Sequence, residues 1–275
     1  MSFASATRSE TTKQLTTSGW WVLALILFVY VAFTAAVLGF VFSASASGSL
    51  PGSNAPQIPE EGLTATLYST ATAIAYVFPL LVGTLMVTGE FRHKTLTPTF
   101  LATPRRDMVL WAKLAVGVML GVLLGVVGVI ASVAPSAAFL AANGIDTGLG
   151  SADTWAMFGR MILAYVLWVF VGIGVGALVR NQVGAIVGVL VFTQFIEPIA
   201  RTAGAFVDGL TEVTRYLPGA ASDALVGASI FSGATPGGMT AETPLDWWVG
   251  ALLLLGYAVV LLVLGYLTTW RRDVS

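Results

Sequence analysis

The chain has 275 residues, of which 56% are apolar and only 10% charged, with no cysteine and a formal net charge of −1. A soluble domain carries about twice that share of charge, and the lack of cysteine excludes disulfides, thiolate metal sites and thiol redox chemistry in this chain. The apolar runs are continuous, not alternating as in an outer-membrane barrel, so the composition predicts an all-α polytopic membrane protein with about six spans in a single transmembrane domain over 1–275.

Residues 1–18 are polar and carry Arg8, Glu10 and Lys13. The apolar run that follows is too long for the core of a signal peptide and reads as a retained span over about 20–42, opened by Trp20 and Trp21 at the interface. The segment before it is expected to lie on the membrane as an interfacial helix, with a thin apolar face of Phe3, Leu15 and Trp20. Residues 43–62 are rich in Ser, Gly and Pro and read as an external loop. A second span is expected at about 63–88, with Pro79 near its middle to bend it.

Residues 89–113 form a basic island between two charge-free runs, holding Arg92, Lys94, Arg105, Arg106, Lys113 and the only histidine, His93. The third span is expected at about 114–140, with Gly117, Gly121 and Gly125 on one face for close helix packing. A fourth follows at about 156–179, with Gly172 and Gly176 four apart and Arg160 near its outer end. After the turn at 180–182 the fifth span is expected at about 183–198. Its charge-free part stops at Ile196, before Glu197 and Pro198, giving about 24 Å of helix against a core of about 30 Å. No run within 199–246 is long enough to cross, so external or re-entrant helices are expected there. The sixth span is placed at about 247–270, between Trp247, Trp248 and Trp270.

Orientation follows from the basic residues. With both termini cytoplasmic, Arg8, Lys13, the five of the island, Arg180, Arg271 and Arg272 lie inside, ten of thirteen, and ten of the fourteen acidic residues lie outside. The chemistry is bounded by what is missing. Ion-coupled carriers usually hold ionisable residues within their spans, and here only Glu197 and Arg160 come near, both close to the outer interface. No lysine follows a glycine, so there is no phosphate loop. One histidine builds no metal site, and no nucleophile–base pair is visible. No catalytic or metal residue is expected, and any energy for active work must come from another chain.

The island "GEFRHKTLTPTFLATPRRDMVLWAKL" resembles the first intracellular loop of ABC-2 type permeases, in which a Glu at the end of the second span precedes a basic turn and a short coupling helix. "RSETTKQLTTSGWW" is similar to that family's amphipathic N-terminal helix. "VRNQVGAIVGVLVFTQFIEPIA" resembles its fifth span, and "RYLPGAASDAL" the external segment before its last span. The resemblance implies a permease subunit of an ATP-binding cassette exporter of the bacterial cytoplasmic membrane, of the drug or multidrug efflux type. It would work as a homodimer or beside a second permease, with two copies of a separate ATPase that holds the ATP and magnesium. This chain would carry no cofactor and bind no nucleic acid.

The same resemblance assigns Glu90, Arg92, His93, Lys94 and Thr95 to the junction with the coupling helix, and the stretch from Thr97 through Pro104, Arg105 and Arg106 to contact with the ATPase. It implies a path lined by the second and fifth spans, with Tyr76, Phe78, Val82, Val187, Val191, Phe192, Thr193 and Phe195 as candidates. That apolar and aromatic lining suits a hydrophobic or amphipathic small molecule. Glu197, with Arg201 one turn on, is expected to hold an external gate. Lipid or glycan-lipid transport by the same architecture, and a membrane assembly factor that binds a cytosolic partner without transport, are the competing readings.

Overall fold

The computed structural model describes residues 2–47, 62–95, 98–99, 105–204, 207, 210–230 and 245–270, and all regular structure among them is helical. Among the described residues six helices are long and apolar enough to cross a membrane: Gly19–Ala46, Leu63–Arg92, Arg106–Ala142, Ala152–Leu178, Gln182–Gly204 and Trp247–Thr268. They are numbered first to sixth below. An N-terminal helix, Phe3–Thr16, precedes them, and the short helices Leu210–Thr214 and Pro218–Val226 lie between the fifth and sixth.

The fourth long helix is the hub, because glycines let three neighbours approach its backbone. A Cβ on Gly172 would meet the Leu80 carbonyl and one on Gly83 would meet the Val169 carbonyl, so the second and fourth helices touch through both. The stripe Gly117, Gly121 and Gly125 serves the third helix, whose backbone at Gly121 and Gly125 lies against Val166 and Ile162. Gly174 receives Leu261, and Gly265 receives Ala177, from the pairing with the sixth helix. The first helix packs on the third, where Gly39 faces Ser136 and Phe139 and Asn143 Nδ2 donates to Ser43 Oγ at 3.0 Å. The second and fourth helices are largely buried, whereas the first, fifth and sixth keep broad apolar surfaces exposed.

Tight connections have local causes. Ser151 caps the fourth helix by accepting from Asp153 N–H, and Asn181 caps the fifth by accepting from Gly184 N–H at 3.0 Å, each satisfying an orphan donor of a first turn. The second helix is interrupted at Ser69 and Tyr76. The second interruption follows from Pro79, which cannot donate to the carbonyl four residues back and crowds it.

Several boundaries differ from those read off the sequence. The third helix begins at Arg106, eight residues earlier than expected, because nothing in "RDMVLWAK" opposes helix once Arg105 has made the turn. Lys113 therefore belongs to a helix and not to a loop. The fifth helix does not stop at Pro198. Residues Phe192–Ile196 form a π-turn, and the α-helix resumes over Glu197–Gly204. The wider turn accommodates a proline whose missing N–H would otherwise break the ladder. The N-terminal helix exists, but it buries Ala6 and Glu10 and leaves Phe3 and Leu15 exposed. Its inward face is thus not the apolar one expected. Residues 48–61, 100–104 and 231–244 lie outside the described residues, and with them most of the expected coupling helix and much of the expected external segment.

Candidate functional site

Four charged side chains from three helices close into a ring. Lys13 Nζ, on the N-terminal helix, lies 2.6 Å from Glu10 Oε1 and 2.9 Å from Glu90 Oε1 at the end of the second long helix. Lys113 Nζ, about 10 Å along the third helix, lies 2.6 Å from Glu10 Oε2. It also stands 2.9 Å from Glu90 Oε2, an ion-pair contact outside hydrogen-bond geometry. Two carboxylates and two ammonium groups thus alternate with no net charge. Lys113 is 0%, Glu10 2% and Glu90 7% exposed. Lys13 is the one member that reaches water, and it also donates to Thr99 Oγ1 of the island at 3.1 Å.

The local sequence dictates this arrangement. Glu10 and Lys13 are three apart, so they share a helix face. Ala6 and Ala112 are small enough to let the N-terminal helix reach the third. Burial by itself pushes the Glu10 carboxyl up, but the attraction of Lys113 and hydrogen bonds from Lys113 and Lys13 outweigh it and hold Glu10 below its ordinary value. For Lys13, burial pulls downward, and Glu90 and Glu10 overcome it and raise the ammonium above its ordinary value. Charges removed from water this far persist only when each is paired. Among the described residues Glu90 makes no ion pair with the nearby Arg92 or Lys94. Its partners are Lys13 and Lys113.

The basic turn leaves this ring directly. Lys94 N–H donates to Phe91 O at 3.3 Å and Thr95 N–H to Glu90 O at 3.0 Å, the pair of hydrogen bonds that closes a helix through a left-handed residue. That residue is Lys94, at φ 55°, the only non-glycine with positive φ among the described residues. Glycine usually takes the position, and a lysine there costs about 1 kcal/mol. Arg92, His93, Lys94 and Thr95 are exposed, and Arg92 reaches Gln182 Oε1 at 3.4 Å. Arg105 is exposed beside Asp107, 3.5 Å away, and Arg106 is half-buried at the start of the third helix. Phe3, Arg105, Asp107, Met108 and Trp111 line a concavity of about 270 Å³ beside them. Thr97 and Pro104 lie outside the described residues.

A second polar cluster sits about halfway along the second helix. Tyr76 stacks on Trp168 with ring centroids 4.6 Å apart. Its hydroxyl lies 3.1 Å from both Thr193 O and Glu197 Oε2. Gly219 N–H donates to Glu197 Oε1. Arg201 donates to Asp223 Oδ2 at 2.6 Å, and Ser229 Oγ donates to the same oxygen at 2.7 Å. Trp168 Nε1 donates to Ser222 Oγ at 3.1 Å. The sequence reading sets Glu197 near the outer interface with Arg201 as its partner. In the structure Glu197 is buried against the middle of the second helix, and the ion pair of Arg201 is with Asp223.

The π-turn has a role in this placement. Ala185, Val189, Thr193 and Glu197 are all buried at four-residue spacing. A regular helix would rotate such a stripe away from its neighbour, and one wider turn brings it back. The residues expected to line a path divide accordingly. Tyr76, Val82 and Thr193 are buried within the chain and Phe78 and Phe192 half-buried, whereas Val187, Val191 and Phe195 form an exposed apolar stripe. The two sets are not on one surface of a single copy.

The sequence matches no protein-family model and no curated protein. Sequence reasoning missed the roles of Glu10, Lys13 and Lys113 in the ring, and of Gly219, Ser222, Asp223 and Ser229 in the second cluster. The i, i+3 spacing of Glu10 and Lys13 is a signal that could have found part of the first. The second joins residues far apart in the chain and leaves no local signal.

Proposed function

We propose that the chain is the permease subunit of an ATP-binding cassette exporter of ABC-2 type, moving a hydrophobic or amphipathic small molecule across the bacterial cytoplasmic membrane with ATP hydrolysed by a separate subunit. The observation that carries this reading is the buried ring of Glu10, Lys13, Glu90 and Lys113. It joins the N-terminal helix to the ends of the second and third helices beside an exposed basic turn. A polar knot of this kind can pass a push on the turn to two long helices as a rigid body. The exposed Arg92, His93, Lys94 and Arg105, with Phe3 and Trp111 beside them, supply the charged and apolar surface an ATPase would grip. Both termini and the ring lie in the cytoplasm on this reading, and Glu197 lies toward the outer half of the path.

The exposed stripe of Val187, Val191 and Phe195 on the fifth helix supports a second copy as the neighbour that completes the path. The test is recruitment. Any nucleotide-binding subunit found encoded beside the chain's gene is co-expressed and co-purified with the wild type and with Arg105→Ala/Arg106→Ala. Capture by the wild type and loss in the double variant is the expected result. Equal capture by both would return the island to an anchor of topology.

A further inference from the structure

Hydrogens around Tyr76 do not add up while Glu197 is ionised. The Tyr76 hydroxyl stands 3.1 Å from Thr193 O and 3.1 Å from Glu197 Oε2, and it has one hydrogen to give. Thr193 O can only accept, and its own helix does not serve it. In the π-turn Glu197 N–H reaches back to Phe192 O. The next carbonyl in that pattern, Thr193 O, falls to residue 198, and Pro198 has no N–H. With the Tyr76 hydrogen on Thr193 O, the phenol oxygen turns its lone pairs toward Glu197 Oε2. A carboxylate would set two acceptors face to face at a residue 1% exposed. A carboxylic acid donates to the phenol oxygen and completes both contacts, while Gly219 N–H still serves Oε1.

Charge points the same way. Among the described residues, the titratable groups facing Glu197 are Tyr76 from the second helix, Arg201 from its own helix, Asp223 from Pro218–Val226 and Tyr257 from the sixth. The fourth helix contributes Trp168, which does not titrate. Arg201 is already closed on Asp223. An ionised Glu197 would leave this group with one negative charge in excess, about 20 Å from either end of the second helix, where an unbalanced charge is costly.

We propose that Glu197 is an exchangeable proton site, neutral in the closed protein, that gives up its proton to water when the second and fifth helices part and then binds the cationic centre of an amphipathic cargo. One O–H bond breaks, one proton leaves and one positive charge takes its place. Tyr76 and Trp168, stacked beside the carboxyl, offer the aromatic faces that a lipophilic cation favours. The cargo class is thus a lipophilic quaternary ammonium or phosphonium. This inference rests on the transport reading, but its test needs only the purified chain.

The probe is tetraphenylphosphonium, titrated onto the full chain in lipid nanodiscs without any ATPase. Affinity should rise about tenfold per pH unit over the range in which Glu197 titrates, with one proton released per cation bound. Glu197→Gln should keep the fold, since its amide N–H donates to the Tyr76 oxygen as the acid does, and should remove both the pH slope and the proton release. Infrared difference spectra should show a carboxylic-acid band in the wild type that the Gln variant lacks. No cation binding, an equal pH slope in both proteins, or an unchanged acid band would each overturn the proposal. Proton-linked cation binding by a chain that captures no ATPase on co-expression would leave the proton site standing and overturn the permease reading.

Discussion

Replacing Lys113 by Met keeps the length of the side chain and removes the charge that closes the ring. Glu10 and Glu90 would then share Lys13 alone. Since Lys13 Nζ is 2.6 Å from one carboxylate oxygen and 2.9 Å from the other, those oxygens are at most about 5.5 Å apart. Two like charges at that separation repel by about 3 kcal/mol at an effective dielectric of about 20. That agrees with the low end of the loss expected when one partner leaves a buried ion pair, about 3–5 kcal/mol. The partial exposure of Lys13 argues for the low end. Adding Glu90→Gln to Lys113→Met removes the repulsion, so the double variant should be less destabilised than the two singles combined, by about 2–3 kcal/mol. Unfolding free energies from titration with a denaturing detergent give the cycle. A loss below about 1 kcal/mol for Lys113→Met, or simple additivity within about 0.5 kcal/mol, would refute the ring as an energetic unit.

Further outcomes follow from the same geometry. Glu10 is held below its ordinary value, so its contribution is complete above the ordinary glutamate range and is lost as pH falls through the lowered value; Lys13, held above its ordinary value, contributes below the ordinary lysine range and is lost as pH rises through the raised one. A nitroxide at Ser9→Cys should therefore report an immobile N-terminal helix across neutral pH and a mobile one at both extremes. Lys94→Gly should raise stability by about 1 kcal/mol by relieving the left-handed lysine, measured by the same detergent titration. With no native cysteine to interfere, an impermeant thiol reagent should label Ser151→Cys in intact cells and spare Thr95→Cys, and the reverse pattern would invert the orientation.

What could be read in advance was what water dictates directly. A run of apolar residues without charge has few fates, so the six long helices were visible in composition alone. The stripe of Gly117, Gly121 and Gly125 was visible too, because four-residue spacing fixes a helix face. Lys113 was misplaced because a lysine suggests a loop, and only a partner such as Glu10, more than a hundred residues away, permits it inside. Pro198 suggested a helix end for the same local reason, and a π-turn absorbed it. Glu197 looked like an acid at the edge of the membrane, since the sequence cannot reveal that Tyr76 and Gly219 converge on it. Charge pairs formed across the fold decide these sites, and hydropathy along the chain does not record them.

The central claim is that force enters through the turn and reaches the long helices through Glu90. The direct measurement is the cargo-stimulated ATP hydrolysis of the co-purified complex in lipid, compared between the wild type and Glu90→Ala. The account predicts that the variant still recruits the ATPase through Arg105 and its neighbours, hydrolyses ATP at the basal rate and loses the stimulation by cargo. Full stimulation in Glu90→Ala, with the complex intact, would contradict it.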